Sequence, residues 1–209
     1  MIIPTDLDIG REPVARPALG RDRARHRGRR YDSAVARTRT RTRPGPAPAG
    51  ATAGEALREY AERGVFRGFA ESADRSGRQD FEFRWLAGAT FRVRLDPAAR
   101  RLTFRDLLPN VPHRSAMDRA FRAWVSERAS EALPEHRRID PSRVRLACTN
   151  RAGSLSVALA LRRRTGAAQA DDWSYAARKG VSLVNEIFHG FLRGPYYDYM
   201  VQNFGEPEE

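Results

Sequence analysis

One pair of residues has the types and the spacing of a metal site on a helix. Glu186 and His189 lie three residues apart, in a segment with helical apolar periodicity. Residues at i and i+3 are neighbours on a helix, so a carboxylate and an imidazole could bind one metal ion, as in helical di-metal proteins. Those proteins repeat the motif on a second helix, and this sequence has one copy. The pattern favours an ordinary polar edge, with Glu186 and His189 as the only metal candidates.

Two short basic loops are candidates for binding an anion or a charged partner. His113 and Arg114 directly precede Ser115, a preferred N-cap residue, and Asp118 follows at the position of a capping box. Free N–H groups and the helix dipole favour an anion there. The second loop follows the same helix and contains His136, Arg137 and Arg138. We expect either a cap and a loop of ordinary kind or, if the loops meet, one basic cleft.

Signatures of common enzymes are missing from the sequence. It has no P-loop, no dinucleotide-binding glycine pattern, no Gly-x-Ser-x-Gly and no two-histidine metal motif. Cys148 is the only cysteine, so one chain can form neither an internal disulfide nor a thiolate metal cluster. We therefore predict a protein without catalytic residues and without a cofactor, in a reducing compartment.

The C-terminal segment is unusually rich in large side chains. Gly194 and Pro195 predict a break after the long helix, because proline clashes with the preceding turn. The residues behind the break include Tyr196, Tyr197, Tyr199, Met200 and Phe204. These side chains are expected to pack either on the domain's own sheet or on a partner chain, since Tyr and Met are enriched at interfaces.

The N-terminal residues 1–53 have the composition of a disordered tail. They contain no Phe or Trp, and an Arg-Thr run over 37–43 leads into a Pro/Gly/Ala stretch. Such a segment buries too little apolar surface to offset its ordering entropy. Three interpretations remain open: a solvated tail, a stretch translated from a wrong start codon, or an arginine arm over residues 11–43 that contacts RNA, DNA or an acidic protein.

The net charge of +12 is divided between the tail and the rest of the chain. Residues 1–53 hold 12 Arg against 5 acidic residues, and residues 54–209 hold 26 basic residues against 21 acidic ones. Of the 38 basic residues only Lys179 is a lysine. This ratio, beside many Ala, Gly and Pro, fits a GC-rich coding sequence as well as selection for phosphate contacts.

Periodicity predicts one α+β domain over residues 54–204, followed by an acidic flexible end over 205–209. Its sheet is expected to be largely antiparallel, with five to six strands and with helices on one face. Helices are predicted over 55–63, from 116 to before Pro134, and from an N-cap at Asp171 or Asp172 through Phe191. Strands are predicted over 65–70, 81–86, 91–95, 102–104, 143–149 and 154–161. Trp124 and Phe188 are predicted to be core residues on two helices packed against the same sheet face.

The order of elements, α-β-β-β-α-β-β-α with the segment over 65–70 as an optional fourth strand, resembles a known fold. It is similar to that of type III secretion chaperones and of a family of bacterial sensory-transduction regulators. The resemblance covers residues 54–204 and lies in element order alone. It implies a small dimeric protein that binds extended segments of partners and has no catalytic residues. Secretion chaperones are typically acidic, whereas this domain is mildly basic.

Three functions are compatible with these observations. The first is a non-enzymatic, chaperone-like protein that binds a protein partner or a second copy of itself. The second is a nucleic-acid-associated protein that uses the tail with a basic sheet face carrying Arg84, Arg92, Arg94 and Arg105. The third is a metal-dependent enzyme around Glu186 and His189. No apolar run approaches the ~18 residues of a membrane helix, so no membrane partner and a cytoplasmic location are expected.

Overall fold

The computed structural model of the chain describes residues 49–163 and 167–205. The arginine-rich residues 1–48 and the acidic residues 206–209 lie outside this part, so the predicted tail and flexible end stay predictions there. The described residues form an α+β domain. Its elements are α1 (Ala49–Glu62), β1 (Arg67–Ala73), β2 (Gln79–Trp85), β3 (Ala89–Asp96), β4 (Arg101–Leu108), α2 (Ala116–Ser126), a 3-10 turn (Glu127–Ala129), β5 (Val144–Arg151), β6 (Ser154–Leu161), α3 (Ala167–Glu186), a π-helical segment (Ile187–Tyr196) and α4 (Tyr197–Phe204).

The strands form one six-stranded antiparallel sheet in the order β1-β2-β3-β4-β6-β5. This confirms the predicted class, and four strands precede α2. Alternation along each strand places large apolar side chains on one face. Buried examples from four strands are Phe81, Phe83, Val93, Leu95, Leu102, Phe104, Val157 and Leu159. The helices pack on that face.

Two glycines allow close backbone geometry, one where a helix packs on the sheet and one in a tight turn. Gly180 of α3 lies against β4: a Cβ at this position would fall 2.2 Å from the Phe104 ring. The missing side chain therefore allows the helix to approach the sheet closely. The β5–β6 turn is formed by Ala152 and Gly153, both with positive φ, which is the backbone of a two-residue hairpin that follows the sheet twist.

The first helix begins earlier than its predicted start at residue 55. It begins at Ala49, and Ala53 is fully buried, so residues 49–53 belong to the folded domain. The predicted boundary was wrong because this stretch contains only Ala, Gly and Thr. Alanine has the highest helix propensity, yet small side chains give little amphipathic contrast. The end of α1 agrees with the prediction, since Gly64 has a φ of +73°.

The long C-terminal helix differs from its prediction at both ends. It starts at Ala167, so Asp171 and Asp172 do not cap it; Asp172 is fully buried and accepts a hydrogen bond of 2.7 Å from Arg143 Nε. At the other end, the chain stays helical through Pro195. The wider π-helical turn accommodates the proline, which supplies no N–H to either bonding pattern.

Of the two phenylalanines in the π-helical segment, Phe191 lies in the core and Phe188 does not. Phe191 is buried and packs against Phe121 and Trp124, with ring centroids 5.2 and 5.8 Å apart. Trp124 is half-buried against the core, as part of the predicted apolar face of α2. Phe188, predicted to be a core residue, is half-buried outside the core cluster and contacts His189 and Arg193 instead.

Candidate nucleic-acid interface

Of the two metal ligands that the sequence suggests, Glu186 belongs to an ion-pair network. Its Oε2 atom accepts hydrogen bonds from Arg128 Nη1 at 3.0 Å and from Arg137 Nη2 at 3.1 Å. His189 is exposed and its ring lies against Phe188. Among the described residues, no group of three or more His, Cys, Asp or Glu side chains could hold a metal ion. The arrangement therefore uses the carboxylate to tie the loop after α2 to the C-terminal helix.

The lone thiol is not in a reactive environment. Burial raises the pKa of Cys148 to about 11, so the thiolate that would act as a nucleophile is scarce at neutral pH. Within the described ranges, no helix is long and apolar enough to cross a membrane.

The first predicted anion site is occupied by a side chain of the chain itself. Ser115 caps α2 by accepting a 3.1 Å hydrogen bond from the Asp118 N–H, as predicted. The carboxylate of Asp118 accepts from the Arg114 N–H at 3.0 Å and from Arg122 Nε at 3.0 Å. It therefore supplies the negative charge that this N-terminus favours. His113 and Arg114 remain exposed beside it.

The second predicted loop lies at the opposite end of α2. His136 is exposed, and its carbonyl accepts a 2.8 Å hydrogen bond from Lys179 Nζ on α3. Arg137 is bound to Glu186, and Arg138 is half-buried. The eleven residues of α2 span about 16 Å, so the structure does not bring His113 and His136 into one cleft.

The aromatic residues at the C-terminus are divided between the domain and the surface. Tyr196 is buried and its hydroxyl donates to the Pro109 carbonyl at 2.6 Å; Tyr199 donates to the Asn110 carbonyl at 3.2 Å. Burial raises the pKa of Tyr196 to about 12, so this hydroxyl keeps its proton. Met200 is half-buried against the core. Tyr197 and Phe204 are 49% and 61% exposed, which leaves two large rings available on α4.

The sheet face opposite the helices carries a group of arginines and carboxylates. We define this open face by the outward residues of β2, β3, β4, β6 and β5, which no element in the described part of the chain covers. Its arginines are Arg84, Arg92, Arg94, Arg101, Arg105, Arg145 and Arg151, and its carboxylates are Asp80, Glu82, Asp96 and Asp106. Between them lie small or hydroxyl side chains, such as Ser156 and Ala158 of β6.

Ion pairs occupy the arginines at one side of the open face. Arg92 binds Glu82 at 2.9 Å and Arg94 binds Asp80 at 2.8 Å; these hydrogen bonds raise the pKa of both guanidiniums. Asp96 is bound by Arg78 of the β2 turn at 2.9 Å. Five arginines have no ion pair within the described residues: Arg84, Arg101, Arg105, Arg145 and Arg151. Their charge is therefore available to a partner.

Two adjoining hollows lie among these arginines. One measures about 360 Å³, and its rim includes Arg94, Arg101, Arg105 and Arg151. Its neighbour, of about 230 Å³, shares Arg94 and Arg105 with it. A β-bulge in β4 places Asp106 at the first hollow with a φ of +55°, its N–H bonded to the Ser156 hydroxyl and its carboxylate to that of Ser154. The arginines at the rim can attract an anion there, while the Asp106 carboxylate offsets part of their positive charge.

Sequence reasoning identified part of this face. Alternation along β2, β3 and β4 assigns Arg84, Arg92, Arg94 and Arg105 to one side. It missed Arg101, Arg145 and Arg151, although Arg145 and Arg151 alternate with the inward Leu146 and Cys148 of β5. The available signal was this alternation together with the small outward residues of β6.

The comparisons with known proteins give this chain no family. No family model, curated protein or solved structure matches it. The geometry of its own residues is therefore what supports a function.

Proposed function

We propose that this chain is a non-enzymatic protein that binds nucleic acid against the open face. One observation carries the proposal: of five arginines without ion pairs on an uncovered sheet face, three (Arg101, Arg105 and Arg151) line two adjoining hollows. The opposite face is filled by the hydrophobic core, so the sheet itself is a rigid support for these side chains. Polyanionic phosphate backbones are the partners that such a surface attracts.

The physical basis is the release of counterions. Each phosphate that an arginine neutralises frees condensed cations, and the gain is larger when the salt concentration is lower. Guanidinium groups also bind phosphate oxygens in a bidentate geometry. Five such contacts should give a slope of about −4.5 in a plot of log affinity against log salt concentration. The arginine run over 37–43 would add further contacts of the same kind.

A salt titration of the full chain tests the proposal and separates the two sources of charge. Replacing the four arginines of the 37–43 run with serine should reduce the slope by as much as about 3–4 units, because four phosphate contacts are lost. When the eight other arginines of residues 1–53 are replaced as well, a slope of about −4 to −5 should remain, from the open face. Fluorescence anisotropy of a labelled oligonucleotide measures both slopes. A slope near zero in the variant would assign all binding to the tail and contradict the proposal.

A second candidate, self-association through α4, has a different observation in its favour. Tyr197, Val201 and Phe204 recur at i, i+4 and i+7, with both rings largely exposed. One such short stripe offers little apolar area, but a two-fold axis would apply it twice and against itself. A second copy is therefore the partner that fits it best.

Light scattering tests this candidate. The full chain should have the mass of a dimer, and replacing Tyr197 and Phe204 together with serine should give a monomer, because the apolar contact is removed. The matched control is Asp198→Ser, on the same helix but without a ring, which should leave the dimer intact. A monomeric parent chain would rule this candidate out.

A further inference from the structure

We infer that the open face takes double-helical DNA in preference to a single strand, an inference that rests on the proposed function. Three features bear on this choice: the residue types on the face, their positions across the sheet and the charge density of the two kinds of nucleic acid. Each of these features indicates a surface that contacts phosphates and makes no contacts with the bases.

The open face has no aromatic side chain with which a base could stack. Every aromatic residue of the central strands β2, β3 and β4 lies on the helix-covered face: Phe81, Phe83, Trp85, Phe91 and Phe104. Proteins that bind single strands combine a basic groove with rings on which successive bases stack. This face supplies the charges and omits the rings, so a single strand would gain little beyond its phosphate contacts.

The arginines are spread over the sheet in two directions. Arg101 and Arg105 lie on β4 and Arg145 and Arg151 lie on β5, on either side of β6. Two strand spacings separate β4 from β5, a distance of about 10 Å. The two backbones of a duplex flank grooves about 6 and 12 Å wide. Two rows of cations at this separation therefore suit a pair of backbones better than one backbone.

A purely electrostatic surface also favours the more densely charged polymer. The slope of log affinity against log salt is about −0.9 per contact for duplex DNA and about −0.7 for single strands. For five contacts the two slopes differ by about 1, which corresponds to roughly tenfold tighter binding of the duplex at 0.1 M salt.

DNA is expected to bind the face at least as tightly as double-helical RNA. Recognition of RNA duplexes depends on contacts with 2′-hydroxyls. Among the hydroxyl side chains here, Ser156 is only 9% exposed and its oxygen already accepts the Asp106 N–H, whereas Thr90 and Thr149 are exposed. The main contacts come from guanidiniums, which neutralise phosphates that DNA and RNA share, so these contacts do not select the RNA sugar.

The test uses the full chain with all 12 arginines of residues 1–53 replaced by serine, so that the open face dominates. Three labelled probes of one sequence are compared at 0.1 M salt: a 20-base-pair DNA duplex, its single strand and the RNA duplex. We expect the DNA duplex to bind about tenfold tighter than the single strand, at least as tightly as the RNA duplex, and with less than a twofold change when its sequence is scrambled.

The outcomes separate this inference from the proposed function. Equal or tighter binding of the single strand overturns the inference and leaves nucleic-acid binding intact. Tighter binding of the RNA duplex overturns the assignment to DNA. Binding of none of the three probes overturns the inference and the proposed function together. A matched competitor, polyglutamate of equal charge, completes the set: displacement of the duplex at equal charge concentration would assign the face to acidic protein and overturn both.

Discussion

Replacing Arg101, Arg105 and Arg151 together with serine should lower the affinity for duplex DNA by roughly 500-fold at 0.1 M salt. Each lost phosphate contact removes about 0.9 from the slope of log affinity against log salt, so three contacts remove about 2.7. The three residues rim the larger hollow and have no ion pair among the described residues. Anisotropy titrations at several salt concentrations measure both the affinity and the slope.

A charge-matched control separates the position of the arginines from their number. Arg63, Arg119 and Arg193 are exposed and lie away from the open face, directly after α1, on α2 and on the π-helical segment respectively. Their joint replacement with serine changes the net charge by the same amount and should lower the affinity by less than tenfold. Equal losses in the two triple variants would show that binding follows net charge alone. Melting temperatures of both variants show whether each is folded.

The sheet was predictable because its signal is local. Phe81 and Phe83 alternate with acidic and basic residues, and a strand with period-2 alternation buries one face wherever it is placed. The same alternation predicts the outward position of Arg84 and Arg92. The hairpins followed from turn residues such as Gly153, whose positive φ suits a two-residue turn.

The predictions that differ from the structure have a common cause, which is contact between residues far apart in sequence. The start of α1 depends on the packing of Ala53 beneath neighbouring elements. A small alanine side chain gives no amphipathic pattern from which this packing could be predicted. Helix continuation past Pro195 depends on a π-helical segment that the rest of the domain supports. The role of Glu186 depends on Arg128 and Arg137, which are 58 and 49 residues away in sequence. Long-range pairing of this kind leaves no periodic pattern in the chain.

The sheet has two edges, and the one at β5 is protected by a side chain from α2. Arg122 Nη1 donates to the Cys148 carbonyl at 2.7 Å, while its Nε is held by Asp118. A capped carbonyl weakens the edge as a template for another strand. Strand addition at β5 is thus disfavoured, whereas the largely exposed β1 edge, the open face and α4 are accessible to a partner.

Replacing Phe191 with alanine should reduce the free energy of unfolding by about 3–5 kcal/mol, the usual cost of truncating a large buried aromatic residue. Phe191 is 1% exposed and joins the π-helical segment to α2 through Phe121 and Trp124. Its removal leaves a cavity between these elements that the surrounding backbone cannot close. Urea denaturation, followed by tryptophan fluorescence, measures the change.

Phe188→Ala is the matched control, because it deletes the same side chain three residues away. Phe188 lies outside the core cluster and contacts the edge of His189 and the guanidinium of Arg193. Its removal should cost about 1 kcal/mol or less, since a partly exposed ring loses less burial and leaves no internal cavity. Equal losses at the two positions, or a larger loss at Phe188, would mean that the helix faces its neighbours as simple α-helical periodicity predicts. The π-helical segment would then be absent in solution, and the position of α4 against Pro109 and Asn110 would have to change with it.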